Sequence, residues 1–104
     1  MATVKPNAAF LSKLVHEPKN KAKVLIKKAS DDEIRLLVEL ILNFNEFGEK
    51  ECDKTVKRKV TALQKLNWKL KTARKLLIKH IDIIRAVVSI AIVLLINSEI
   101  CEMF

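Results

Sequence analysis

From Lys54 to the last residue the chain contains neither glycine nor proline, and from Val56 to Val88 its apolar side chains recur at helical spacing. Placed at 100° per residue, Val56, Val60, Leu63, Leu66, Leu70, Ala73, Leu77, Ile81, Ile84 and Val88 fall within one arc of roughly 140°. A strand would need alternation at every second residue, so this half of the chain reads as helix. The pattern predicts one long helix, or two collinear ones broken near Asn67, the polar residue that lies on the apolar arc. With one Gly, two Pro and no Tyr in 104 residues, hairpin chemistry is scarce everywhere. The expectation is an all-α fold, a small helical bundle of four to five helices in one domain spanning 1–104. It would end in a long helix that turns from basic to apolar.

The first half supplies the remaining elements. Asn7 is a candidate N-cap for a short helix carrying Ala8, Phe10, Leu11, Leu14 and Val15, and Pro18 ends that helix or opens the next. The next, about residues 19–29, should bury Ala22, Leu25 and Ile26 behind a fringe of Lys21, Lys23, Lys27 and Lys28. Ser30-Asp31-Asp32-Glu33 has the form of a capping box, with the serine hydroxyl and the glutamate each satisfying a backbone amide of the first turn. Three acids there also suit the positive end of a helix dipole. The helix they open should run to about Asn43 with Ile34, Leu37, Val38, Ile41 and Leu42 as its core stripe, and Gly48 marks a loop.

Charge is distributed in blocks. Residues 1–30 carry net +6, residues 31–53 net −6, residues 54–80 net +10 with no acid at all, and residues 81–104 net −2. Local fields of this kind decide which polyanions a surface meets. On the side of the helix opposite the apolar stripe stand Lys54, Lys57, Arg58, Lys65, Lys69, Lys75 and Lys79, with Trp68, the only tryptophan, among them. Cations repeated along a helix match a phosphate backbone, and an indole stacks on a base or sits at a lipid headgroup. The bland alternative is a solvated lysine face and a tryptophan packed on a neighbouring helix. Specific base reading is not expected, because only Arg58 and Arg74 offer bidentate geometry here.

The end of the chain is ambiguous in a different way. Residues 86–98 form an uncharged run of 13, short of the ~20 a membrane-spanning helix needs. Extension back to Leu76 admits Lys79, His80, Asp82 and Arg85, of which Asp82 and Arg85 are spaced to pair. Val87, Val88, Ile90, Ile92, Val93, Leu94, Leu95 and Ile96 make the segment apolar on every side, so protein, a second copy or lipid must cover it.

Catalysis has little foothold. His16 and His80 are isolated, no nucleophile–base spacing repeats, and no glycine-rich loop would cradle a phosphate. No metal, cofactor or small-molecule substrate is expected. Cys52 and Cys101 show no metal-binding spacing and read as free thiols of a reducing compartment. The run MATVKPNAAFLSKLV breaks its hydrophobic stretch with Pro6, Asn7 and Lys13, so secretion is not expected.

The run VLIKKASDDEIRLLVELILNFNEFG, followed by VKRKVTALQKL and ARKLL, resembles the small basic uncharacterised proteins of Maverick/Polinton elements and adintoviruses. The shared cadence lies in residues 25–29, 39–43 and 74–77, within a resemblance covering about residues 10–78. Such proteins have been likened to the basic core peptide precursor of adenoviruses. The resemblance therefore implies a virion-associated protein that condenses DNA or acts on membranes. This chain departs from the pattern where HIDIIRAVV replaces a Gly-Gly-Phe-Leu-Pro-like start of the hydrophobic tail, and in the acidic loop after Asn43.

Together these readings predict a non-enzymatic basic helical protein that binds nucleic acid through its phosphate backbone without sequence preference, in an intracellular, nuclear or virion-associated setting. The alternatives are membrane contact through the hydrophobic end, or self-association through that end or through the acidic segment 31–46.

Overall fold

The structure, a computed structural model, describes residues 7–47 and 54–103, and side chains within 7–46 and 54–93. Gly48 and Cys52 lie outside the described residues, as do the side chains of Leu94, Leu95, Ile96 and Cys101. Among the described residues seven helices follow one another: α1 (Ala8–His16), α2 (Lys19–Lys28), α3 (Asp31–Leu42), α4 (Phe44–Phe47), α5 (Lys54–Gln64), α6 (Leu70–Lys79) and α7 (Ile81–Met103). Among the described residues there is no strand. The radius of gyration of 13.1 Å is that of a compact chain of this length, for which about 13 Å is usual.

The first three helices form for the reasons their sequence gives. Asn7 occupies the N-cap position of α1, and Pro18 the N-cap position of α2, its fixed φ suiting the entry to a helix. At α3 the capping box is complete. The Glu33 amide donates to Ser30 Oγ at 3.1 Å, and the Ser30 amide donates to Glu33 Oε1 at 2.8 Å. Such a cap contributes about 1 kcal/mol. Helix α3 buries a different set from the expected stripe: Leu36 and Leu40 join Ile34, Leu37 and Ile41 in the core, Val38 is half-buried and Leu42 is 46% exposed. The cause is its central position, with α5, α6 and α7 all packed against it.

The predicted continuity beyond Lys54 needs correction. The apolar stripe is present and buried, but three helices share it. Val60 and Leu63 of α5, Ala73 and Leu77 of α6, and Ile81, Ile84 and Val88 of α7 all enter one core. The chain breaks at residues 65–69, around Asn67 as anticipated, and Leu66 and Leu70 beside the break are 40% and 38% exposed. A second break at His80 was not anticipated. The His80 amide still donates to Leu76 O, while its carbonyl already accepts from Ile83 and Ile84, so one residue closes α6 and opens α7. Among the described residues seven helices therefore replace the four to five expected. Periodicity survived because each piece presents the same face inward.

Helix α7 is the hub, touching every other helix. Its Ile81, Ile84, Val87, Val88 and Ala91 are buried. Each fully buried isoleucine or valine side chain is worth about 1.5–3 kcal/mol.

The expected Asp82–Arg85 pair does not form. Asp82 instead meets Lys19 Nζ at 3.1 Å, and Arg85 Nη2 donates to Val15 O at 2.7 Å and Glu17 O at 2.8 Å. This belongs to a wider scheme. No described residue has positive φ, so α1, α2 and α3 end without the left-handed cap that commonly satisfies terminal carbonyls. Side chains from the second half supply the donors. Arg85 serves the end of α1, Arg74 Nη1 donates to Ile26 O at 2.8 Å and Lys27 O at 3.3 Å at the end of α2, and Gln64 Nε2 donates to Ile41 O at 2.9 Å at the end of α3.

Candidate nucleic-acid interface

Helices α5 and α6 each bury one face, and that burial fixes where their cations stand. On α5, Val60 and Leu63 are buried and Val56 is half-buried. Lys54, Lys57 and Arg58 project from the opposite side, and Lys65 follows in the turn just after the helix, all exposed. On α6, Ala73 and Leu77 face the core, so Lys75 and Lys79 are exposed, and Lys69 stands exposed at the N-cap. Lys71 completes a row with Lys75 and Lys79 at four-residue spacing, with successive cations about 6 Å apart along the axis. Sequence reasoning omitted Lys71 and likewise Lys59, which is exposed on α5. For Lys71 the four-residue spacing from Lys75 was the available signal, and for Lys59 only its place in the acid-free block 54–80.

Two residues beside these cations are placed inward: Trp68, a predicted member of the basic face, and Arg74, which was not among its predicted members. Trp68 is half-buried against the core, and its Nε1 donates to Leu63 O at 2.8 Å. The indole stitches the α5–α6 turn to the body of the protein, as the bland alternative held. Arg74 is drawn inward to the end of α2 and also reaches Asp31 Oδ1 at 3.3 Å. Lys57 has a partner of its own. Among the described residues Lys54, Arg58, Lys59, Lys65, Lys69, Lys71, Lys75 and Lys79 have no carboxylate partner.

The surface between these cations is grooved. An open depression of about 550 Å³ runs along α5, lined among the described residues by Lys54, Lys57, Arg58, Thr61, Ala62 and Lys65. A second, of about 380 Å³, lies where α5 meets the α6–α7 corner, with Lys59, Lys79 and His80 beside Ala62, Leu63 and Ile83. Asp82 also lines it, its charge countered by Lys19.

The three acids that open α3 each have a partner. Asp31 is engaged by Arg74 and Asp32 by Arg35 at 3.4 Å, while Glu33 closes the capping box. At the apolar end, Val87 and Val88 are consumed in the core, Ile90 and Ile92 pack against it half-buried, and Val93 is 54% exposed. Among the described residues no helix is long and apolar enough to cross a membrane, and no group of three metal-ligating side chains comes together.

Fold and surface together define a compact all-α globule with lysine-bearing helices packed around an apolar hub. Comparison of the chain with protein-family models, with curated proteins and with solved structures finds no match.

Proposed function

We propose that this is a non-enzymatic nucleic-acid-binding protein that holds the phosphate backbone, without reading sequence, on the outer faces of α5 and α6. The observation that carries the reading is the exposed cation set of these two helices, unpaired with carboxylates among the described residues apart from Lys57 and Arg74. Binding of this kind draws its free energy from counterion release and so depends steeply on salt. With Trp68 and Arg74 turned inward, base stacking and base-edge contacts from this surface are few, which favours backbone contact. The resemblance to the basic proteins of Maverick/Polinton elements and adintoviruses points to the same chemistry.

The test is retention of the full chain on duplex and single-stranded oligonucleotides as salt is raised. If about five phosphates are neutralised, log affinity should fall against log salt with a slope near −4 to −5. Charge reversal at Lys57, Lys65 and Lys75 together should abolish retention at moderate salt; unchanged retention would refute the reading.

A second reading is contact with a membrane surface, favoured by Val93 at 54% exposure in a helix that continues to Met103. Flotation of the full chain with anionic vesicles separates the two, with Val93→Asp altering the exposed side of α7 while leaving its buried residues in place. Equal partitioning of the parent and Val93→Asp chains refutes lipid contact at that side of α7.

A further inference from the structure

The chain has four arginines against sixteen lysines, and three of the four have acceptors within the protein, two of them at helix ends and one on the surface. Arg74 and Arg85 cap the ends of α2 and α1, and Arg35 meets Asp32. Arg74 shows what a guanidinium adds over an ammonium, since its Nη1 reaches two carbonyls while its Nη2 reaches Asp31. Arg58 is the exception. It is exposed on the outer face of α5, has no carboxylate partner among the described residues, and lines the 550 Å³ groove. Lys54 stands one turn before it, about 6 Å along the axis, and Lys65 two turns after it, about 10 Å.

Resting on the nucleic-acid reading above, we propose that Arg58 is the anchor of that surface. Its guanidinium takes one phosphodiester group of the backbone bidentately in the α5 groove, and Lys54 and Lys65 hold the neighbouring phosphates as point charges. A guanidinium is more weakly hydrated than an ammonium and matches two phosphate oxygens at once, so it gives up less water and gains two charge-assisted hydrogen bonds. A face built only to be soluble or diffusely cationic has no use for that difference.

The experiment compares Arg58→Lys, Arg58→Ala, Lys54→Arg and Lys65→Arg with the parent chain on a duplex oligonucleotide, with anionic phosphatidylglycerol vesicles as a second arm. Arg58→Lys keeps the charge and should leave the salt slope unchanged while weakening oligonucleotide binding about tenfold, the loss of one charge-assisted hydrogen bond. Arg58→Ala should weaken it further and lower the salt slope by about one. The two lysine-to-arginine variants should bind as the parent does or slightly more tightly. Circular dichroism melts should be the same for all, because the side chain is exposed. Arg58→Lys binding the oligonucleotide like the parent, while reversal of Lys57, Lys65 and Lys75 abolishes retention, overturns the anchor and leaves the nucleic-acid reading standing. A weakening confined to the vesicles overturns the choice of nucleic acid as the ligand. A parent chain that binds neither overturns the reading and the anchor with it.

Discussion

Helices α6 and α7 are adjacent in sequence, joined through His80 alone, yet they solve the problem of burial in opposite ways. Helix α6 commits Ala73 and Leu77 to the core and leaves Lys71, Lys75 and Lys79 exposed on the far side. Helix α7 carries Ile81, Ile84, Val87, Val88 and Ala91 inward and is touched by every other helix. Amphipathic spacing places a helix at the edge of a globule, whereas apolarity around the whole circumference places it at the centre. The comparison also divides labour: the edge helix supplies surface charge and the central helix supplies stability.

The sharpest way to break that division is to empty the hub. Ile84→Ala, at a site 1% exposed, should cost about 2–5 kcal/mol, read as a lowered urea midpoint. A cost below about 1 kcal/mol would mean that α7 is not the centre of the core. Next in size is Arg85→Ala, which leaves two carbonyls of the α1 end without their donor and should cost about 1–3 kcal/mol. Both bonds are donated by the single nitrogen Nη2, so lysine at this position should recover part of that loss through its own three-donor ammonium. Ser30→Ala removes a local cap and should cost about 1 kcal/mol, measured the same way. At the small end, Lys75→Glu should leave the urea midpoint nearly where it was, because its side chain is exposed and has no carboxylate partner among the described residues. A large loss of stability there would show that the outer face of α6 is structural.

How much of this was legible in the sequence depends on how far each interaction reaches. The capping box was readable because Ser30 and Glu33 lie within one turn, and the inward faces of α1 and α2 were readable because periodicity is local. Leu36 and Leu40 were missed because their burial depends on which helices cover α3. Trp68 was assigned to the basic face by its position among lysines, but a turn brought its indole to the Leu63 carbonyl. Asp82 and Arg85 satisfied a spacing rule for pairing, yet each found a partner more than sixty residues away. For the interface, the lysines could be placed from the angle they make with the apolar stripe. The scarcity of arginine was visible but could not be interpreted until three guanidiniums had been traced to their acceptors.

The sequence by itself determined that the chain is helical, which face of each helix is apolar, where α3 begins, and that residues 54–80 carry cations without acids. These follow from backbone geometry and neighbours a few residues apart. Only the tertiary structure decided that the stripe from Val56 to Val88 is shared by three helices, that α7 is the hub, and that Gln64, Arg74 and Arg85 close the ends of α3, α2 and α1. The physical reason is that a terminal carbonyl is satisfied by whichever donor the fold brings near it. In α1, α2 and α3, which end without left-handed caps, those donors come from the second half of the sequence.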